Sequence, residues 1–217
     1  MLEIEKTVLP SAEQWMIIIE GMRNPMNSWD KSDSLRAYDG SFVLGGADYD
    51  LMERLAKGGS VHAKYRRMIP VYVTIDAPLY WWKEFDTYKV GTVCNSCSTM
   101  HKIHAKEFTL DDFSYEHLKM KNLDGELHSG CVCTLRKVID VLNGMRTQYL
   151  ITKNKFFWWQ MIQLLPTSYN QKRTIMLNYE VLVGIYRDRK DHKLDEWHVF
   201  CDWIRSLPYS EFVTGGE

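Results

Sequence analysis

The sequence lacks any apolar run approaching the ~20 residues that a membrane-spanning helix requires, so it offers no membrane segment. Its first residues, MLEIEKTVLP, do not show the charged-then-apolar pattern of a secretory leader, and a cytoplasmic setting is the expectation. An excess of basic charge is also missing: 27 Lys and Arg face 28 Asp and Glu, for a net charge of -1. That balance argues against a dedicated nucleic-acid binder, because a phosphate backbone needs a cationic surface. Cysteine is scarce and odd in number, five in all, so a disulfide framework is not expected. No repeat of about 20 to 50 residues is present. The GxGxxG, P-loop, HExxH and GxSxG patterns are absent, and a Ser–His–Asp arrangement cannot be read from spacing.

What is present is an ordinary globular mixture with an unusual aromatic load. The 217 residues are 45% apolar and 25% charged, enough for one domain with a sizeable core or two small ones. There are 8 Trp, 12 Tyr and 8 Phe, some adjacent, as in Trp81-Trp82 and Phe157-Trp158-Trp159. Cys94 and Cys97 form a C-x-x-C, and Cys131 and Cys133 form a C-x-C. With His101 or His104 these could ligate zinc, but C-x-C is not the usual second half of a zinc ribbon. Small buried thiols are the alternative, and no metal is the expectation.

Periodicity organises the chain. Trp15, Ile18, Ile19 and Met22 recur at helical spacing within residues 10–24, and Leu51, Met52 and Leu55 do so within 48–57, before Gly58-Gly59 as a stop. Residues 24–46 read as an irregular excursion. Met68 to Ile75 reads as a strand with Pro70 near its start. Leu79 to Lys89 reads as a helix, Val90 to His101 as an ordered polar loop, and Leu110 to Ser129 as loop or short helix. Helices are then expected over 134–149, 155–165, 171–189 and 194–207, the third with Tyr179, Leu182, Val183 and Tyr186 on its buried face. The class is α+β, mostly helical around a small antiparallel or mixed sheet.

The densest collection of reactive side chains runs from His62 to His104. It includes Lys64, Arg66, Arg67, Lys83, Glu84, Asp86, Tyr88, Lys89, Asn95, Ser96 and Ser98, interleaved with Tyr65, Tyr80, Trp81, Trp82 and Phe85. Hydrogen-bonding groups beside flat apolar faces suit a nucleotide or a flavin. An aromatic core with satisfied polar neighbours has the same composition. His62, beside Gly58-Gly59-Ser60, would hold a ligand or cap a turn. Asn178 and Arg189, eleven residues apart on one expected helix, would point the same way. Arg189 would then face an anion or pair with Asp188 or Asp191.

The order of these segments resembles the flavin-dependent thymidylate synthases, the ThyX family. The counterparts are Gly58-Gly59-Ser60-Val61-His62, the strand that follows Arg67, the stretch from Trp81 to Lys89, Asn95-Ser96-Cys97-Ser98, the segment from Thr174 to Arg189, and Asp195-Glu196-Trp197. They span roughly residues 46–205, as order and spacing more than identity. The family signature is RHRxxSxNExSxRY. Laid so that Asn95 and Ser98 match, its RHR becomes Tyr88-Lys89-Val90, its Glu becomes Ser96, and its final Arg-Tyr becomes Met100-His101.

The resemblance implies a single ThyX-like domain over 1–217 and a homo-oligomer, a tetramer in the family, whose ligands bridge subunits. It implies FAD as cofactor, methylenetetrahydrofolate and NADPH as co-substrates, and a pyrimidine deoxynucleotide such as dUMP as the methyl acceptor. Arg189 and Ser98 take catalytic positions. His62, Tyr88, Lys89 and Asn178 fall at the flavin, and Asn95, Ser96, Ser98 and Arg189 at the substrate. The departures from the signature open a second reading, a ThyX-fold protein that binds a nucleotide or partner without catalysis, for instance one encoded by a virus.

Overall fold

A computed structural model describes residues 1–121, 123, 125 and 130–216. The chain runs β1 (Glu3–Val8), α1 (Ala12–Arg23), β2 (Leu35–Arg36), β3 (Phe42–Val43), α2 (Gly46–Lys57), β4 (Pro70–Pro78), α3 (Leu79–Phe85) and β5 (Val93–Ser96). It continues through α4 (Cys131–Thr152), α5 (Lys155–Leu164), β6 (Asn170–Asn178), α6 (Tyr179–Arg189), α7 (Asp195–Ser206) and α8 (Glu211–Thr214). Four strands form one sheet in the order β1-β4-β6-β5. The class is α+β, with helices dominating around a small antiparallel sheet. No described helix is long and apolar enough to cross a membrane.

The helices expected near residues 10–24, 48–57, 134–149, 155–165 and 194–207 form, and the first shows why. Ser11 caps α1 with its hydroxyl on the Gln14 N–H, Gln14 returns the bond to the Ser11 N–H, and Trp15, Ile18, Ile19 and Met22 are buried. Four expectations need correction. The region 171–189 is not one helix. Its first part is β6, where Ile175 and Leu177 are buried on alternate positions, a period of two rather than 3.6. Helix α6 begins only at Tyr179, because the Asn178 side chain accepts the Val181 N–H at 3.1 Å and starts a new element.

Within the loop expected over 90–101, Val93–Ser96 is a strand, and α3 ends at Phe85, well before Lys89. The excursion at 24–46 holds an antiparallel pair, β2 with β3, in the register Leu35↔Val43 and Arg36↔Phe42. Of the segment read as loop or short helix, Leu110–Asp112 is a single 3-10 turn; residues 122, 124 and 126–129 lie outside the described residues.

Chain contacts divide the protein into two compact units. One comprises 1–3, 75–87 and 95–173; the other comprises 4–74, 88–94 and 174–217. The first unit packs α4 and α5 around Ile103, Phe108, Phe113, Leu135, Ile139, Leu142 and Met161. The Lys153 backbone, at φ +56°, turns the chain between the two helices, and Asn154 caps α5.

The second unit gathers α1, α2, α6, α7 and α8 around Trp15, Ile19, Met52, Tyr65, Leu182, Ile185, Trp197 and Phe200. Its irregular segment is pinned by one buried carboxylate. Asp48 accepts from Arg23 Nε, from the Ser32 hydroxyl at 2.8 Å, and from the Asp33 and Ser34 N–H groups at 3.1 and 2.9 Å. Burial opposes ionisation of Asp48 more than any single partner favours it. The Ser34, Ser32 and Arg23 contacts together still hold its carboxyl below the ordinary range.

Candidate functional site

In the first unit, Gln171 organises the expected substrate segment. Its side-chain N–H donates to the Cys97 carbonyl at 2.6 Å, and its backbone carbonyl accepts from Trp82 Nε1 at 2.8 Å. The Cys97 N–H donates to the Lys172 carbonyl at 2.9 Å. Arg173 reinforces this framework: its Nε reaches Gln171 Oε1, one terminal nitrogen reaches Asp86, and its guanidinium lies 4.3 Å from the Trp82 ring. Asn95, Ser96 and Ser98 project from the resulting edge and are exposed. The Ser98 hydroxyl accepts the His101 N–H at 2.9 Å. Ser98 also borders a cavity of about 340 Å³ with Thr99, Lys106, Asp112, Tyr169 and Lys172. Burial pushes the Tyr169 phenol up to about 12, with Asp112 and Asp76 adding to the shift.

The other expected residues belong to the second unit. Arg189, on the last turn of α6, donates from Nε to the Tyr88 hydroxyl at 2.9 Å. Its guanidinium lies 4.8 Å from the Trp197 ring and 5.6 Å from the Tyr88 ring. Tyr88 and Arg189 are therefore brought together. Asn178 is at the opposite end of α6, where its side-chain oxygen caps the helix. The same-face relation expected for Asn178 and Arg189 is thus corrected: Asn178 lies before the first helical turn, on strand geometry. Lys89 is exposed beside Tyr88. His62 stands apart from these four. It packs over Gly58, where a Cβ would meet the imidazole at 3.1 Å, and it lines an apolar cavity of about 330 Å³ with Met22, Met26, Leu51 and Met68.

A further constellation in this unit escaped sequence reasoning. A cavity of about 560 Å³ is bordered by Gly59, Ser60, Arg66, Glu180, Gly184, Arg187 and Lys190. Arg66 is only 8% exposed, and its nearest approach to Glu180 Oε2 is 3.8 Å, too long for a hydrogen bond. Arg66 Nε and Glu180 Oε2 are consequently buried polar atoms with no hydrogen-bond partner among the described residues. Native proteins rarely leave such atoms unsatisfied without a functional reason. Side chains at Gly59 and Gly184 would meet nothing within 4 Å, so the walls beside the charges are open. Arg66 is one of many cations in the polar stretch, and nothing in its neighbours marks it as buried; Glu180 reads as an ordinary first-turn acid.

Among the described residues no group of three or more His, Cys, Asp or Glu side chains could hold a metal ion. The cysteines form no disulfide.

The chain is similar in structure to thymidylate synthase X (ThyX) from Helicobacter pylori, solved with FAD and dUMP. The TM-score is 0.63 at 15% identity, over 98% of this chain and 95% of that one. It is likewise similar to the UMP/dUMP methylase PolB from Streptomyces cacaoi, bound with 5-Br dUMP, with a TM-score of 0.64 at 14% identity over 99% and 94%. The fold is that of ThyX. No protein-family model matches the chain, and no curated protein matches it in sequence. The ThyX fold therefore persists here on a sequence in which, of the nine specified signature positions, only Asn95 and Ser98 carry the family's residues.

Proposed function

We propose that this ThyX-fold chain binds a pyrimidine nucleotide and a flavin nucleotide and methylates the pyrimidine, as one domain within a homo-oligomer. The observation that carries this reading is the cavity beside Arg66 and Glu180. A buried guanidinium and a partly buried carboxylate whose Oε2 is itself buried, each with an unsatisfied atom, offer one donor and one acceptor to a heterocycle edge or a ribose hydroxyl. Arg187, whose Nε is paired with Asp188, and Lys190 border the same cavity and offer positive charge to phosphates. Gly59 and Gly184 leave room for a ligand to approach the backbone. The residues present fit FAD on these grounds, and the H. pylori ThyX structure to which the fold is similar contains FAD and dUMP.

In this reading Arg66, Glu180, Arg187 and Lys190 hold the cofactor; Asn178, Lys89 and His62, which the resemblance also puts at the flavin, do not line this cavity. When bound, a reduced flavin supplies hydride; methylenetetrahydrofolate supplies the carbon, and NADPH the reducing equivalents. The work of the chain is binding and electrostatics. Arg189 presents a fixed positive charge to the pyrimidine as negative charge develops on it. Ser98 and Ser96 offer hydroxyls, and Asn95 an amide, to the nucleotide phosphate and sugar.

Incubation with FAD followed by desalting tests the cofactor assignment: flavin absorbance retained by the wild type and lost in Glu180→Ala supports it. Absence of retained flavin after excess FAD removes the flavoenzyme reading. Tyr88, Lys89, Val90 and Ser96, standing where the family signature has Arg, His, Arg and Glu, favour a second reading, a nucleotide-binding protein without methyl transfer. Calorimetric binding of dUMP without turnover in the presence of FAD, folate and NADPH would select it.

A further inference from the structure

We infer that Tyr88 is a positioning residue, which fixes the guanidinium of Arg189 for an anionic ligand rather than contacting a cofactor itself. The inference rests on the pyrimidine-nucleotide reading above for the ligand, and on geometry within one unit for everything else.

An arginine at a helix end has four rotatable side-chain bonds, and its usefulness as an anion receptor depends on how many of them are already fixed. Contacts with Trp197 and with Tyr88 act on the same group. The guanidinium carbon lies 4.8 Å from the centre of the Trp197 ring, which is fully buried and braced edge-on by Phe200 at 5.9 Å. A cation held over a ring by that contact can still turn and slide. The 2.9 Å bond from Arg189 Nε to the Tyr88 hydroxyl restricts that motion. Because the bond uses Nε, it orients the terminal nitrogens through the rigid fork without itself employing them. Tyr88 also sits edge-on to Trp197 at 6.1 Å, so the three side chains form one mutually oriented set.

The phenol is itself held. Three residues after it, Gly91 has φ +77°, a left-handed backbone, and a Cβ there would meet Val181 Cγ2 at 2.9 Å. The segment from 88 to 94 thus lies closely against the first turn of α6, the same helix whose last turn carries Arg189. A glycine is required for that approach. In the signature as laid on this chain, Tyr88 occupies the first Arg position. An arginine there would have no acceptor to offer Arg189, and its charge would repel it. The hydroxyl acceptor belongs to this sequence.

The test combines ligand binding with a ligand-free readout. In calorimetric titration with dUMP, Tyr88→Phe keeps the ring and should bind about tenfold more weakly than the wild type, with Tm lowered only by the few degrees that one hydrogen bond is worth. In an Arg189→Lys background, which has no Nε donor, the same Tyr88→Phe change should cost nothing further. Equal affinity for wild type and Tyr88→Phe would overturn the inference. So would an undiminished Tyr88→Phe effect in the Arg189→Lys background, which would mean that the phenol touches the ligand directly. By NMR, the Arg189 Nε–H should exchange slowly with water in the wild type and at least tenfold faster in Tyr88→Phe; equal rates would also overturn it. Absence of dUMP binding to the wild type sinks the pyrimidine reading, and the exchange measurement then decides the Tyr88 assignment alone.

Discussion

The stretch Asn95–Ser98 and the cavity beside Arg66 differ in what makes a site. The first is rich in polar side chains, yet Asn95, Ser96 and Ser98 are all exposed, and the structure around them is organised by Gln171 and Arg173 holding the backbone. The second is lined by Ser60, Arg66, Glu180, Arg187 and Lys190, and there two buried atoms, Arg66 Nε and Glu180 Oε2, are unsatisfied. A solvated serine sacrifices little hydrogen bonding whether or not a ligand arrives. A buried arginine 3.8 Å from an oxygen of a partly buried carboxylate loses hydration without regaining it from that oxygen. Density of polar residues in a sequence therefore marks where a ligand could be touched, while unsatisfied burial marks where the fold keeps a place for one.

The largest effect expected from this contrast is at Glu180. Glu180→Ala leaves Arg66 buried without its counter-charge and should lower unfolding stability by roughly 3 kcal/mol in urea titration. Saturating FAD should restore stability to the wild type but not to the variant. An equally stable variant would show that the pair is hydrated and that the cavity is not built.

Asp48 provides the matched structural control, a buried carboxylate whose bonds are all made within the chain. Its pKa is depressed on folding, so its stabilisation is present above the unfolded Asp pKa of 3.8 and is lost as pH falls through the lower, folded value. Stability of the wild type should therefore drop on acidification below pH 4. Asp48→Asn should start roughly 2 kcal/mol lower at pH 7 and show a shallower acid limb. Parallel limbs in thermal melts would break the assignment.

Asn178 separates capping from ligand contact. Loss of the cap in Asn178→Ala should cost about 1 kcal/mol, or some 2–4 °C in Tm. Asn178→Asp, which also caps, should restore the Tm. If it restores flavin retention as well, the amide of Asn178 makes no cofactor contact. Asn95→Ala and Ser96→Ala, by contrast, should leave stability within about 0.5 kcal/mol, as exposed substitutions do, while weakening dUMP binding severalfold. The smallest effect is chemical. Burial pushes the Cys201 thiol up to about 11, so at pH 8 it should resist a thiol reagent that modifies the exposed Cys94, Cys97 and Cys131.

Much of the helical framework was legible locally. Ser11 with Gln14, the apolar spacing in α1 and α7, and Gly58 after α2 are signals that act over three or four residues, and each produced the expected element. Strand β6 was hidden because an alternation, Ile175 and Leu177, runs directly into a helical face, Leu182 and Tyr186, without Gly or Pro between them. Asn178 was the only punctuation, and an asparagine reads equally as a cap or as a ligand contact. Strand β5 was hidden because Val93–Ser96 is exposed along its whole length and carries no apolar alternation.

Sequence by itself determined the class and the order of segments, since helix periodicity and caps are properties of neighbouring residues, and the family resemblance added Arg189, Tyr88, Asn95 and Ser98 as candidates. Tertiary structure alone decided that Tyr88 meets Arg189 across 101 positions, that Arg66 loses its hydration beside Glu180, and that Asn178 ends a strand rather than lying within a helix. Burial and pairing at such separations depend on how elements pack, and no local pattern encodes which of several arginines the packing removes from water.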